Sequence, residues 1–551
     1  MNEVGDNTHP PVEARRFFWL SAALLIAAFI QFYNAYRAPV IARDGIRFIQ
    51  IAHELHRPRA AFSYFAQHPG YPASMYLAHA MIGMFSDEAT IESWVCAARI
   101  TSGLYGLLCI LVVWLFTRRL AGQCAADVAA MIFSVYPLVR LNAADALSDS
   151  GHLFFYLLAA WCLCEAVSGK SLWWYCSAGC SSGLAYWIRP EGWSIALVGG
   201  LYLAVQIIRS TSHMRRRFVV GLMLLLATTI VTSGPYVALS GKLTDKVRRK
   251  ENLIKFQAHL NRQSKTPAAT ATAAPDLHKT GLPTTTDGFC RILTAAVGEL
   301  LKNILDTFQA LLVPAACALI FYDKRRFPAG SGPILGGLAG LHALLLIGVY
   351  FTGGYISERH LLPIVGLSMP LVAVGIIGIA ETVRAWVSQR LIPRLSRYTD
   401  GQAVAFATLL LFVAFAPQVL RVSHPQFQPD AVAARWIKQR YSAQQLLISN
   451  SPYLPFYAEL TPRCGRVVET HEDFAQELAK HPHEKILVVL QRKRRQSQGP
   501  PDRELHCPSH AAILKFAADC KYRSAVHETL VFECQPSPRQ ALHRSPDSLR
   551  R

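Results

Sequence analysis

The chain has 551 residues, of which 52% are hydrophobic and only 17% are charged, and its mean hydropathy is +0.23. Charged residues make up about 25% of an ordinary soluble domain, so this composition excludes a single soluble domain, a disordered chain and a fibre. The 56 Lys and Arg residues outnumber the 36 Asp and Glu residues, for a formal net charge of +20. Nucleic-acid-binding proteins carry such charge as a patch on a soluble domain, whereas long apolar runs dominate here. The composition indicates a multi-spanning membrane protein and no nucleic-acid partner.

Eleven apolar runs have roughly the length of a bilayer-spanning helix. They lie at 17–37, 95–117, 121–140, 151–167, 172–188, 192–208, 217–239, 306–322, 331–351, 360–380 and 403–421. The first run also fits a signal sequence, but it exceeds a typical signal core and no small-residue cleavage site follows it. We therefore predict a mainly α-helical, polytopic membrane protein with about eleven transmembrane helices.

Every second connection between these runs is basic, and short basic loops favour the cytoplasm. The basic residues are Arg15 and Arg16, Arg118 and Arg119, Lys170, Arg209 with Arg215, Arg216 and Arg217, Lys324 with Arg325 and Arg326, and Arg384, Arg390, Arg394 and Arg397. Counting the apolar segment from Tyr71 to Phe85 as a span would reverse all later loops, so we interpret it as a helix at the outer surface. Residues 38–94, 240–305 and everything after about 422 then lie outside.

The chain is predicted to form two domains, a membrane catalytic domain at 1–423 and a small extracytoplasmic α/β domain at 424–551. Short apolar runs alternate with helix-like segments in the second domain, which is typical of an α/β fold. Four of the 13 cysteines belong to it, and an oxidising compartment would allow disulfides among them in three possible pairings. They are Cys464, Cys507, Cys520 and Cys534.

Ionisable residues recur at the turns predicted to face outward. Asp44 follows the first span, Asp145 and Asp149 lie at the next outward turn, and Arg189 and Arg359 lie at two later ones. Acidic residues at the edge of the hydrocarbon are costly unless they are paired or functional. Plain structural roles stay open, because Asp44 and Asp145 would also suit helix caps and the arginines would also reach the lipid headgroups. Their recurrence on one membrane face favours an active site.

This set of residues suits attack on a lipid-phosphate sugar. Arginines bind phosphate oxygens bidentately and stabilise a leaving phosphate. A carboxylate deprotonates or orients the acceptor, as the base does in inverting glycosyl transfer. A membrane-embedded helical protein would also admit the prenyl chain of such a donor from the bilayer.

Several motifs in order resemble the GT-C glycosyltransferase superfamily, which includes protein O-mannosyltransferases and aminoarabinose transferases for lipid A. The resemblance is carried by Asp44, Gln67-His68-Pro69-Gly70-Tyr71-Pro72, Cys96-Ala97-Ala98-Arg99-Ile100, Thr117-Arg118-Arg119-Leu120-Ala121-Gly122, Leu147-Ser148-Asp149, Ile188-Arg189-Pro190-Glu191-Gly192 and Arg359-His360-Leu361-Leu362-Pro363. It implies catalytic roles for Asp44, as the base or as the carboxylate that orients the acceptor, and for Asp149, as the second acidic residue of the site. It also implies substrate-binding roles for Arg189, Arg359, His68 and Asp145.

The first outer loop departs from this pattern, because Asp44 is followed by Gly45 where family members often have a second acidic residue. We therefore expect a reaction that needs no metal or other cofactor. The expected enzyme is a multi-pass protein of the inner or cell membrane with its site on the periplasmic or extracellular face. It would move a sugar from a polyprenyl-phosphate donor to a lipid, glycan or protein. The alternative is a transporter or flippase, but such proteins bind substrate near the bilayer midplane and have repeated halves, which this sequence does not indicate.

Overall fold

The computed structural model describes residues 12–55, 67–84, 90–169, 171–241, 243, 286–321, 328, 330–390, 400–460, 465–468, 476–478, 480–481, 485–494, 510–522 and 525–536. Most of the predicted outer loop at 240–305 lies outside the described residues. So do two of the cysteines considered for disulfides, Cys464 and Cys507, and the side chain of Cys520. Their pairing stays a prediction.

Seventeen α-helices are distinguished in the described chain. They are α1 (Val12–Arg37), α2 (Arg43–Glu54), α3 (Gly70–Gly83), α4 (Ile91–Ala121), α5 (Gln123–Val135), α6 (Pro137–Ala144), α7 (Asp149–Val167), α8 (Trp173–Ile188), α9 (Ser194–Arg209), α10 (Ser212–Ser240), α11 (Thr286–Phe308), α12 (Leu312–Phe321), α13 (Ser331–Gly353), α14 (Leu362–Arg390), α15 (Asp400–Val419), α16 (Gln428–Arg440) and α17 (Tyr453–Tyr457). Short 3₁₀ helices occupy Pro190–Trp193, Gln309–Leu311, Glu358–Leu361 and Pro425–Phe427.

The described residues of each of the eleven predicted spans lie mostly in helix, and the predicted mainly α-helical membrane fold is confirmed. Among the described residues, seven helices are long and apolar enough to cross a membrane, or up to nine if each of two bent pairs is one span. In one pair α5 and α6 meet at 56°, at the break before Pro137, and in the other α11 and α12 meet at 96°. Helix α8, with 16 residues, and the apolar part of α15, Val404–Val419, are shorter than these candidate spans. The segment α3 is not among the candidate spans.

Helices α8 and α10 pack closely because small residues line their contact. An added Cβ at Gly179 would lie 2.4 Å from the carbonyl oxygen of Leu225 on α10, closer than any side chain tolerates. The sequence Gly179-Cys180-Ser181-Ser182-Gly183 superficially matches a hydrolase nucleophile motif. In the structure its first glycine lies at a helix–helix contact, which is the ordinary role of small residues in membrane helices.

The described residues divide into two compact units. The first comprises Met1–Tyr33, Ile51–Ala78 and Arg99–Arg421, and the second comprises Asn34–Gln50, His79–Ala98 and Val422–Arg551. The second unit therefore combines two segments of the predicted first outer loop with the C-terminal region.

The C-terminal region forms one five-stranded sheet, as expected for a small α/β domain. Its strands are β1 (Leu447–Ser449), β2 (Gly465–Val467), β3 (Ile486–Arg494), β4 (His510–Tyr522) and β5 (Ala525–Pro536), in the order β2-β1-β3-β5-β4. Strands β2, β1 and β3 are parallel, whereas β3, β5 and β4 are antiparallel. Alternate residues of β3 belong to two apolar clusters, and helices α16 and α17 contribute to the cluster that contains Leu487 and Val489. This alternation is the period-two pattern of a sheet buried on both faces.

Candidate active site

An ion pair joins the start of α7 to the turn that follows α8. Nη1 of Arg189 donates a hydrogen bond to Oδ1 of Asp149, and the Asp149 side chain is only 4% exposed. The Nε atom of Arg189 also lies 3.8 Å from Oε2 of Glu191. A buried carboxylate stays charged only with such a partner, so the pair is a strong and oriented contact.

The turn at Arg189 is built by its own sequence. Residue Arg189 has extended backbone angles (φ −151°, ψ 142°), the conformation that a following proline imposes, and Pro190 then opens a 3₁₀ turn. A Cβ at Gly192 would lie 2.2 Å from the backbone nitrogen of Tyr186, so only glycine allows the turn to fold against α8. The hydroxyl of Ser182 donates to the Gly192 carbonyl at 2.8 Å. The turn therefore holds the backbone of Arg189 in a fixed position, from which its guanidinium group reaches Asp149.

A third turn, between α13 and α14, brings more positive charge to Asp149. Arg359 and His360 belong to the 3₁₀ helix at Glu358–Leu361, and Asp149 interacts electrostatically with both of them. Nε2 of His342, in α13, donates to the His360 carbonyl at 2.8 Å. The structure thus brings together three predicted site residues, Asp149, Arg189 and Arg359, although 40 and 210 positions separate the two arginines from the aspartate.

The motif at 67–72 packs against the same region through His68 and Tyr71. Nδ1 of His68, which is 2% exposed, donates to the Tyr186 carbonyl at 2.7 Å, and its ring also contacts Tyr236 at a centroid distance of 4.7 Å. This hydrogen bond ties the motif to the end of α8. The structure therefore gives His68 a packing role beside the ion pair, and its substrate-binding role stays a prediction.

The hydroxyl of Tyr71 links the motif to the loop that carries the two aspartates. It lies 2.6 Å from Oγ of Ser102, which in turn donates to the carbonyl of Leu147. Burial raises the pKa of Tyr71, and the charges of Asp145 and Asp149 act in the same direction, so the phenol stays protonated. Asp145 itself accepts a hydrogen bond from the amide of Ala146 at 2.8 Å, which stabilises its turn.

Asp44 belongs to the second compact unit. It is half-buried in the first turn of α2, and Val40 and Ile41 just before it are fully buried. The apolar residues of α2, such as Ile46 and Ile49, are buried within the protein. An acidic residue in the first turn also favours the helix electrostatically, so the cap-like role considered from the sequence stays open beside the catalytic one.

Three buried groups near the ion pair were not expected from the sequence. His152 lies one helical turn after Asp149, and it interacts electrostatically with Glu191, Arg189 and His342. Among the described residues, Nε2 of His152, Nδ1 of His342 and Nε1 of Trp193 have no hydrogen-bond partner. Buried polar atoms are normally satisfied, so these three are available to a ligand. Ionisable residues inside apolar spans were the signal that would have identified the two histidines.

No group of three or more His, Cys, Asp or Glu side chains among the described residues is arranged to hold a metal ion. The charges around Asp149 are instead balanced by arginines, which is the arrangement of an anion-binding site.

Comparisons with known proteins show what this chain is similar to. Residues 67–233 match the family model described as dolichyl-phosphate-mannose-protein mannosyltransferase. No curated protein matches the sequence significantly. Among solved structures, ArnT from Cupriavidus metallidurans in the apo state is similar at a TM-score of 0.58 and 15% identity, covering 93% of this chain and 97% of that chain. The same protein bound to undecaprenyl phosphate gives 0.57 and 15%, covering 94% and 98%.

The archaeal oligosaccharyltransferase AglB from Archaeoglobus fulgidus, in complex with an inhibitory peptide and a dolichol-phosphate, has a TM-score of 0.50 at 14% identity, covering 86% of this chain and 69% of that chain. Likenesses at such low identity establish the fold. Together with the match to the family model over residues 67–233, they confirm the predicted resemblance to the GT-C glycosyltransferase superfamily and the predicted fold of a multi-pass membrane protein.

Proposed function

We propose that this chain, which has the fold of the GT-C glycosyltransferase superfamily, transfers a sugar from a polyprenyl-phosphate donor to a lipid, glycan or protein acceptor on the non-cytoplasmic face of the cell membrane. The donor class is supported by the undecaprenyl phosphate and dolichol-phosphate named in the two similar structures. The observation that carries the proposal is the group formed by the buried Asp149 and the half-buried Arg189 and Arg359.

The two arginines are the proposed ligands of the donor phosphate. Asp149 binds Arg189 on one side and Glu191 lies near it on another, so the direction of this guanidinium is set before the donor arrives. Such preorganised charge stabilises the developing phosphate without reorganisation during the reaction. Asp149 therefore acts through Arg189, because its carboxylate orients the guanidinium group. His152, His342 and Trp193 offer the polar atoms that a sugar's hydroxyl groups would satisfy.

The proposed reaction is a single displacement with inversion. An acceptor hydroxyl attacks the anomeric carbon, and its oxygen forms the new glycosidic bond. The bond from that carbon to the phosphate oxygen breaks, and its electron pair stays on the polyprenyl phosphate that leaves. The acceptor's proton goes to the carboxylate of Asp44, as in inverting glycosyl transfer. The phosphate needs no proton from a general acid to leave, since the arginines balance its charge.

The test is an assay on membranes that contain the protein, supplied with radiolabelled polyprenyl-phosphate sugars. Label should pass to a lipid, glycan or protein fraction, and nuclear magnetic resonance of the product should show the inverted anomer. The Asp44→Asn variant should accumulate normally and lose transfer by about 10³-fold, the upper part of the range for a general base. The matched control is Glu54→Gln, the same carboxylate-to-amide change at the other end of α2, which should transfer at the wild-type rate.

Two results would overturn the proposal. Unimpaired transfer by Asp44→Asn would remove its catalytic role. Labelled donor that crosses the membrane unchanged, with no label in any acceptor fraction, would identify a transporter or flippase instead.

A further inference from the structure

The C-terminal region is attached to the segment that leads into Asp44. The backbone amide of Ile41 donates a hydrogen bond to the hydroxyl of Tyr457, at the end of α17, over 2.9 Å. Ile41 and its neighbour Val40 are fully buried, and α2 begins two residues later at Arg43. All of these residues belong to the same compact unit as Asp44. The phenol therefore fixes the last backbone segment before the helix that carries the proposed base.

A second attachment lies at the start of α4. Lys438, in α16, forms ion pairs with Glu459 at 2.8 Å and with Glu92 at 3.5 Å. The carboxylate of Glu459 also accepts a hydrogen bond from the backbone amide of Ile91 at 3.2 Å. These groups are partly exposed, so each ion pair is individually weak. Together they join both ends of the first outer loop to the C-terminal region.

The backbone at Glu459 is unusual. Its φ of +54° lies in the left-handed region, and among the described residues only Gln309 and His424 share this property without being glycine. A residue other than glycine keeps that conformation when its surroundings impose it. The Glu459 amide donates to the Phe456 carbonyl at 3.1 Å, which tightens the turn directly after Tyr457. The turn thus presents the Tyr457 hydroxyl and the Glu459 carboxylate to two separate segments of the loop.

We propose that Tyr457 is a positioning residue for Asp44, and that the C-terminal region serves to hold the first outer loop in its active geometry. The inference rests on the proposed function, because it assumes that Asp44 takes the acceptor's proton. A general base must lie within hydrogen-bonding reach of that proton, and a displacement of about 1 Å costs about 10²-fold in rate. One hydrogen bond to the segment before α2 is well placed to control such a displacement.

The test removes only the hydrogen-bond acceptor, by Tyr457→Phe. The turnover number kcat should fall about 10-fold to 100-fold, while KM for the donor changes less than about 3-fold, because donor binding is assigned to other residues. Hydrogen–deuterium exchange of residues 38–45 should become faster. The matched control is Tyr441→Phe, which removes a phenol that contacts Glu533 in the same region and should change neither kcat nor exchange at 38–45.

A double variant separates this inference from the proposed function. If Tyr457 acts through Asp44, adding Tyr457→Phe to Asp44→Asn should cost no further activity, since the group that it positions is already absent. An equal extra loss in both backgrounds would overturn the positioning role while leaving Asp44 as the base. Full activity of Asp44→Asn would instead overturn the proposed function.

A third variant covers the case in which Tyr457→Phe does not accumulate. Lys438→Gln changes only partly exposed ion pairs and should lower kcat about 2-fold to 5-fold, with faster exchange at 90–94, in line with the weak energy of such pairs. Wild-type kcat and exchange in this variant, beside a Tyr457→Phe protein that is unfolded, would reduce Tyr457 to a folding role and overturn the inference.

Discussion

Two buried aspartates, one in each compact unit, show how partners decide what a carboxylate does. Asp149 begins α7 and is paired with Arg189, whereas Asp430, fully buried at the start of α16, accepts hydrogen bonds from the hydroxyls of Ser451 and Thr529. Among the described residues, Asp430 has no ion pair. Burial therefore raises the pKa of Asp430 to about 6. Similar burial gives a carboxylate oriented by an arginine in one region and, in the other, a carboxyl group that is held by neutral hydroxyls and takes up a proton near pH 6.

The largest effect should follow from breaking the Asp149 pair. Arg189→Gln removes the partner of a buried carboxylate and a proposed phosphate ligand, so transfer should fall by about 10³-fold or more. Unfolding should become easier by about 3–5 kcal/mol, because Asp149 stays buried without its counter-charge. The paired measurements are the transfer assay and thermal unfolding in detergent. Arg189→Lys keeps the positive charge but loses the planar guanidinium group that can donate two parallel hydrogen bonds. This variant should recover most of the stability and less of the activity.

The Asp430 contact should instead respond to pH. Its folded-state pKa, about 6, lies above the ordinary value of 3.8, so its stabilising contribution is complete below about 4 and is lost as the pH rises through about 6. The difference corresponds to about 3 kcal/mol at most. The protection of α16 in the full chain, measured as its hydrogen–deuterium exchange relative to the intrinsic chemical rate at each pH, should be greater at pH 5 than at pH 7.5.

The matched variant for that measurement is Asp430→Asn, which keeps hydrogen-bonding capacity and cannot ionise. It should remove most of the difference in α16 protection, corrected for the intrinsic exchange rate, between the two pH values while leaving sugar transfer unchanged. An equal pH difference in the variant would assign the effect to other groups.

A smaller effect is expected from the histidines beside Asp149. His152→Ala should lower kcat/KM for the donor about 10-fold, the usual value of one hydrogen bond to a neutral ligand, and His342→Ala should act similarly. His213→Ala, at the exposed start of α10, is the control and should be silent. Donor kinetics identical to wild type in both variants would show that the two unsatisfied ring nitrogens do not meet the sugar.

The smallest effect should come from chelation. Because arginines supply the positive charge around Asp149, EDTA should leave the transfer rate unchanged. A rate that falls with EDTA and returns with Mg²⁺ or Mn²⁺ would contradict a metal-independent reaction and would direct attention to the acidic residues as ligands.

The helices of the first unit were predictable because a bilayer demands about 20 apolar residues for each span, a signal that needs no tertiary context. Pro137 also predicts a break between α5 and α6, but it does not predict the angle of 56° between them. The antiparallel pair of β4 and β5 was not predicted. The sequence of β4, His510 to Tyr522, is rich in alanine and lacks the β-branched pattern of a strand, and its pairing with β5 decides its conformation.

For the candidate site, too, the sequence predicted one part and the tertiary structure decided the rest. Composition and charge determined that this is a membrane protein, because apolar residues favour the bilayer and charged residues are costly there. The order of the motifs indicated which aspartates and arginines could form the site. Only the tertiary structure decided that Asp149 pairs with Arg189 rather than with a nearer residue, that His152 and His342 lie beside them, and that Tyr457 reaches Ile41 across 416 positions. Such contacts depend on how helices pack and turns close, and sequence spacing does not encode those distances.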